Sequence, residues 1–353
     1  MLGRGQRGKR RLQGRGHLAG AGVARYRAAI AWGTVTTLAG SLASLAVAAR
    51  LTTLFTTGIV THPPTPAFGL AVLGGAVAWV GVATTRRLPV STTHAIVGAL
   101  IGAGVVLGPE AVAWAALLPR LVTPLLASVG GSYLLSGLIN RLPPRLPECL
   151  CVDVAPAWRV EIEAQGAAAA VALPGSLPIV QVRTGTEAEC RLHRDGAGLL
   201  RLTATGTHWL SSGAVGFARG LNDTPKIVAL GTFALVPAGL TAGQVALVAA
   251  LAMAAGSLLM GALVARVLAE EVVPMDQVEG LKANLATALL VGVGANLGLP
   301  MSTTHVATGA ISGIAGVRAS RLNRRTLRNL ALAWTVTPLV AGLIAAGVFA
   351  LFR

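Results

Sequence analysis

From Ala28 to Ala49 the chain runs 22 residues without a charged side chain, and Phe68 to Thr85 repeats the pattern over 18 residues before closing on Arg86 and Arg87. About 20 consecutive apolar residues are enough for one helix to cross the hydrocarbon core of a bilayer. Further apolar segments follow at 90–107, 111–139, 209–218, 226–236, 242–268, 283–297, 306–317 and 330–352. Only 12% of the 353 residues are charged, against about 25% in a soluble domain. There is too little polar sequence to cover a water-exposed surface of this length. The pattern therefore predicts an all-α polytopic membrane protein, since helices satisfy their own backbone in lipid. The 44 glycines suit close helix packing and broken helices. Pro119 and Pro124 predict a kink, or two shorter pieces, within 111–139.

Several of these segments are too short to span alone, and one element occurs twice. Leu88-Pro-Val-Ser-Thr-Thr-His94 precedes Gly98, and Leu299-Pro-Met-Ser-Thr-Thr-His305 precedes Gly309, 211 residues later. Val122-Thr-Pro124 and Val336-Thr-Pro338 form a second pair, offset by 214. A single Ser-Thr-Thr-His would carry little weight. Two copies with the same flanks imply two homologous halves, and short Gly- or Pro-broken segments in matching places are the sign of discontinuous helices around a midplane site.

The spacing within each copy suggests chemistry. Pro89 and Pro300 disfavour continuation of a preceding helix. Ser91, Thr92 and Thr93, and likewise Ser302, Thr303 and Thr304, then stand where a new helix can begin. A helix start leaves N–H groups unpaired and carries the positive end of the macrodipole, so it attracts an anion. Hydroxyls add donors without charge. Ordinary Ser/Thr N-caps would account for one copy; for two copies in apolar sequence an anion site is the better reading. His94 and His305 either titrate or donate to a partner near neutrality, or pack and hold the helix starts.

The second constellation is Gly216-Phe-Ala-Arg-Gly-Leu-Asn-Asp-Thr-Pro-Lys226, enclosed by apolar sequence. Asn222, Asp223 and Thr224 offer oxygen ligands for a small cation, or a proton-accepting carboxylate. Lys226 can answer Asp223 or reach an anion. Pro225 is expected to break or restart a helix there. An Asx-capped surface turn is the plainer alternative. Most of the 13 acids lie between Glu148 and Asp195 or at Glu270, Glu271, Asp276 and Glu279, whereas Asp223 stands between apolar stretches. A carboxylate there is costly without a cation, a hydrogen-bond network or water.

Residues 1–27 form a basic Gly/Arg-rich tail with eight Lys or Arg, and no small-residue cleavage site marks a secretion signal. Residues 28–139 read as a first membrane repeat, 140–206 as a polar soluble linker, and 207–353 as a second membrane repeat. The linker holds all three cysteines, and strands are expected at 158–164 and 178–182, giving a small β-rich insert. Cys149, Cys151 and Cys190 are expected to be unrelated thiols rather than a metal site. The net charge of +16 resides in tails and connections, without interleaved aromatics, so cytoplasmic Lys/Arg excess explains it and nucleic acid is not an expected partner. The insert's basic residues favour the cytoplasmic side.

The two Pro-x-Ser-Thr-Thr-His elements and Gly-Leu-Asn-Asp-Thr-Pro-Lys resemble the inorganic phosphate transporter family of bacterial low-affinity symporters and sodium-coupled relatives, over roughly 28–139 and 208–352. The resemblance implies two inverted repeats with paired re-entrant hairpins. It implies phosphate held by Ser91, Thr92, Thr93, Ser302, Thr303 and Thr304. The coupling cation would be held or relayed by Asn222 and Asp223, with Thr224, and supported by His94, His305 and Lys226. One departure matters. The family pattern carries an Asn-Asp element in each half, yet none occurs before Thr61, and the position equivalent to Asn222 falls at Arg11. The first half is therefore expected to lack its opening element, through a misplaced start, a frameshift or real loss.

The expected activity is symport of inorganic phosphate across the cell membrane, coupled to H+ or Na+ with a lean to H+. A multi-pass bilayer protein, able to form a homodimer, with no cofactor and no catalytic step, fits these residues. No GxxxxGK[ST] loop is present to support ATP-driven transport. Transport of another tetrahedral oxyanion such as sulfate, a truncated non-transporting membrane protein, and a membrane phosphatase are the alternatives.

Overall fold

The computed structural model describes residues 25–61, 65–142, 149–155, 161–164, 167–170, 179–186, 197–316 and 319–352. It divides into one unit made of Met1–Leu142 with Leu210–Arg353, and a second made of Pro143–Trp209. The helices are α1 (Tyr26–Val47), α2 (Ala49–Thr57), α3 (Pro66–Thr85), α4 (Thr92–Leu107), α5 (Trp114–Leu117), α6 (Thr123–Asn140), α7 (Ala204–Leu235), α8 (Ala242–Glu270), α9 (Gln277–Leu297), α10 (Thr303–Ala315) and α11 (Arg324–Phe352). Among the described residues, six helical segments are long and apolar enough to cross a membrane: α1, α3, the continuous stretch Trp114–Asn140, α8, α9 and α11. The chain is thus an all-α polytopic membrane protein carrying a small sheet.

Large apolar side chains such as Leu134, Leu259, Leu339 and Leu343 point outward, others such as Leu51, Phe55, Phe68 and Leu100 form a buried core, and small or polar residues line several of the helix contacts. On α6 the buried Ser128, Ser132 and Ser136 form a stripe at four-residue spacing. It faces Gly309 and Gly313 of α10, where an added methyl would come 2.1 Å from Ser132 Oγ and 2.3 Å from Tyr133 O. Gly98 and Gly102 of α4 press in the same way against Pro338 and Gly342 of α11, at 2.1 Å in both cases. Small residues let helix backbones approach within dispersion range, which is the main attraction available between helices in lipid. The pairing is crossed: α4 rests on α11, and α10 rests on α6.

The helices that follow the two Ser-Thr-Thr elements are short. At about 1.5 Å per residue, α4 and α10 are roughly 24 Å and 20 Å long, less than a hydrocarbon core of about 30 Å. Each follows an extended segment that turns sharply out of the preceding helix. Gly298 makes that turn after α9 with φ 73°, and Arg87 makes it after α3 with φ 57°. They occupy equivalent places, two residues before Pro300 and Pro89.

Pro225 does not break the chain. α7 runs unbroken through it for 32 residues, correcting the expectation of two pieces meeting there. Without an N–H, Pro225 leaves the carbonyl of Leu221 without its helical donor. Pro119 and Pro124 also fail to split their segment. A π turn at Leu118–Val122 absorbs the first, and Pro124 follows directly after it at the start of α6.

In the second unit, β1 (Cys149–Ala155) pairs antiparallel with β4 (Ile179–Gly185) and β5 (Ala197–Thr203), and β2 (Glu161–Ala164) with β3 (Ala167–Ala170). Of the strand expected at 158–164, residues 161–164 form β2, and of the one at 178–182, residues 179–182 belong to β4, while 158–160 and 178 lie outside the described residues; β1, β3 and β5 lacked a clear alternating signal. Cys149 is held in a disulfide and Cys151 is free and buried, which corrects the expectation of three unrelated thiols.

Candidate functional site

Ser91 and Ser302 each sit in extended backbone and cap the helix that follows. Ser91 Oγ accepts the His94 amide at 3.2 Å, and Ser302 Oγ accepts the His305 amide at 3.3 Å. Thr92 and Thr93, and Thr303 and Thr304, occupy the first turn, where helix geometry provides no carbonyl for their N–H groups.

The two loops are linked reciprocally. Thr93 Oγ1 donates to Met301 O at 3.1 Å, and Thr304 Oγ1 donates to Val90 O at 3.2 Å. Each threonine ends its own Ser-Thr-Thr run, and each carbonyl belongs to the residue after the other copy's proline. The rings of His94 and His305 meet edge to face at 4.6 Å, and His305 packs on Trp334 at 3.8 Å. Trp334 Nε1 in turn donates to Pro89 O at 3.3 Å. Nδ1 of both histidines is buried and has no hydrogen-bond partner among the described residues.

The middle of α7 closes the site. Asn222, Asp223, Thr224 and Lys226 are all buried, and Lys226 is fully so. Lys226 Nζ donates to Met301 O at 2.7 Å, to Thr93 Oγ1 at 2.8 Å and to Asp223 Oδ1 at 3.2 Å. Asn222 Nδ2 donates to Asp223 Oδ1 at 2.8 Å and to Met301 O at 2.9 Å, leaving its own Oδ1 buried without a partner among the described residues. Arg219, a turn earlier and half exposed, holds Nε 3.8 Å from Asp223 Oδ2. One carboxylate among two cations gives the cluster a net positive charge, favourable to an anion. Thr224 turns away, donating to Ser41 Oγ of α1 at 2.7 Å with Met253 Sδ of α8 at 3.3 Å.

Contacts across the two loops and α7 link Thr93, Thr304, His94, His305, Asn222, Asp223 and Lys226, Ser91 and Ser302 cap the helices beside them, Thr92 and Thr303 lie in the first turns, and the hydroxyl of Thr224 joins α7 to α1 instead. Four of the six loop hydroxyls are already engaged, two as caps and two as cross-links. Met301 O, which accepts three donors, was missed because a carbonyl has no sequence signature. Arg219 carried a usable signal, its four-residue spacing from Asp223 on a helix. An apolar cavity of about 490 Å³, lined by Trp32, Phe217, Leu221 and Gly292 among others, touches none of the loop residues.

A helical membrane domain with two short, duplicated helix starts brought face to face over a buried ionised cluster defines a polytopic transporter of small ions. The comparisons identify which. Residues 15–345 match the phosphate transporter family, and the chain belongs to that family. It is 25% identical over 321 residues to a phosphate permease of Pyrococcus abyssi, covering 79% of this chain and 77% of that one. It is 27% identical over 334 residues to a phosphate permease of Thermococcus kodakarensis, covering 82% and 79%. A sodium-dependent phosphate transporter of Xenopus laevis is 37% identical over 94 residues, covering 26% of this chain and 14% of that one. Among solved structures, the sodium-dependent phosphate transporter shares the fold, with a TM-score of 0.71 at 18% identity, covering 96% of this chain and 92% of that one. Family membership makes the chain a secondary transporter of phosphate across a membrane, not an enzyme.

Proposed function

We propose that inorganic phosphate binds where the two Ser-Thr-Thr helix starts meet, and that Asn222 and Asp223 handle the coupling H+ or Na+. The observation that carries this reading is the reciprocal pair Thr93–Met301 and Thr304–Val90, which sets two positive helix ends against each other beside a buried carboxylate. Phosphate would take the free N–H groups of Thr92, Thr93, Thr303 and Thr304, with hydroxyls of the six loop residues turning to it as the cross-links part. His94, His305 and Lys226 support the loops. Thr224 serves the site by fixing α7 to α1.

In this reading α1, α3, α4 and α6 are the counterparts of α8, α9, α10 and α11, arranged as inverted repeats with α4 and α10 re-entrant. Residues 28–139 and 207–353 are the two repeats, 140–206 the soluble linker and 1–27 a separate tail. α7, the bearer of Asn222 and Asp223, has no counterpart among the described residues of the first repeat. Alternating access then parts and rejoins the two loops. The protein acts in the plasma membrane, and a homodimer is compatible with its outward apolar faces.

Uptake of labelled phosphate in cells lacking their own phosphate transporters tests this. The chain should take up phosphate, Asp223→Asn should abolish uptake at matched expression, and excess sulfate should compete weakly. Uptake unaffected by Asp223→Asn, or fully blocked by sulfate, would sink the reading.

A further inference from the structure

Lys226 is fully buried and each of its ammonium protons has an acceptor. Its three ammonium protons point to three oxygens from three elements: Thr93 Oγ1 of α4, Met301 O of the loop before α10, and Asp223 Oδ1 of α7. A hydroxyl, a carbonyl and a carboxylate converging on one point are the ligand set of a small hard cation. Asn222 Oδ1, buried and without a partner among the described residues, stands at the edge of the same cage, because its amide nitrogen already touches Met301 O and Asp223 Oδ1. Met301 O accepts three donors although a carbonyl offers two lone pairs, so it is the shared acceptor on which the two loops and α7 meet.

We infer that Lys226 is a tethered cation occupying an oxygen cage at the junction of the two loops, and that it keeps sodium out of that cage. The ammonium supplies from within the chain the single positive charge that a bound alkali ion would otherwise bring. It enters from α7 rather than from solution, so the charge that balances Asp223 and draws phosphate to the loops does not depend on external sodium. This deepens the phosphate reading by naming the ion that one cage cannot use.

The test measures thermal unfolding of the detergent-solubilised full chain in sodium chloride and in choline chloride at equal ionic strength. Wild type should unfold at the same temperature in both. Lys226→Met empties the cage while keeping its volume, and Lys226→Gln is a milder second variant. At least one should gain about 3 °C in sodium at ten times its dissociation constant. That gain should vanish when Asp223→Asn is added. Phosphate uptake by wild-type proteoliposomes should be equal in the two salts. Stabilisation of the wild type by sodium, or indifference of both variants to it, overturns the inference. Absence of phosphate uptake in both salts counts against the phosphate reading instead, and leaves the unfolding arm to decide the cage.

Discussion

Lys226 Nζ lies 2.8 Å from Thr93 Oγ1, joining residues 133 apart in sequence. Thr93 passes the link on, donating its own proton to Met301 O of the other loop. The threonine hydroxyl is thus both acceptor and donor at a buried point between α7 and the two loops. Thr93→Val keeps the shape but leaves a buried ammonium proton without its acceptor, a loss of about 1–3 kcal/mol. Thr93→Ser should retain most of the stability. Thermal unfolding in detergent compares them, and a valine variant as stable as wild type would show that this hydroxyl is dispensable.

Asp223 has a different signature. Asp223→Asn leaves Lys226 with no compensating charge in the interior, and breaking a buried ion pair from one side costs about 3–5 kcal/mol. Adding Lys226→Met removes the orphaned charge, so the double variant should recover much of the fold. Uptake should stay at background in both, because the carboxylate is missing. If the double variant transports as wild type does, Asp223 has only a structural task.

Glycine positions separate contact from conformation. A methyl on Gly98 would stand 2.1 Å from Pro338 O of α11, backbone that cannot move aside, whereas a methyl on Gly74 meets nothing within 4 Å. Gly98→Ala should sharply reduce the yield of folded protein. Gly74→Ala should be neutral or stabilise by up to about 1 kcal/mol through helix propensity. Size-exclusion profiles of the two variants check this, and similar behaviour would contradict the close α4–α11 contact.

Arg87 and Gly298 make the same left-handed turn, but only glycine does so without steric cost. Arg87→Gly should therefore raise stability, by up to about 1 kcal/mol. Gly298→Ala should lower it by more, since the new methyl would also come 2.7 Å from Arg50 Cβ. Unfolding temperatures moving in opposite directions would bear this out; a fall with Arg87→Gly would mean that the arginine side chain anchors the turn.

The membrane character, the duplicated helix starts and the polar break at 222–226 are all legible in the sequence, because hydrophobic runs, proline and repeated spacing act locally. Residue by residue, that was enough to name Ser91, Thr93, Ser302, Asp223 and Lys226. What the sequence could not contain is which groups meet. Pro225 reads locally as a helix break, yet α7 continues through it, because packing on α1 through Thr224 and Ser41 outweighs one lost backbone bond. Thr224 reads as a ligand beside Asp223, yet helical rotation of about 100° per residue turns it to the other side. The cross-links from Thr93 to Met301 and from Thr304 to Val90, and the lysine held between them, depend on α4 packing against α11 and α10 against α6. Those contacts join segments more than 160 residues apart, and close approach of small residues in lipid is a property of paired surfaces that no single segment carries.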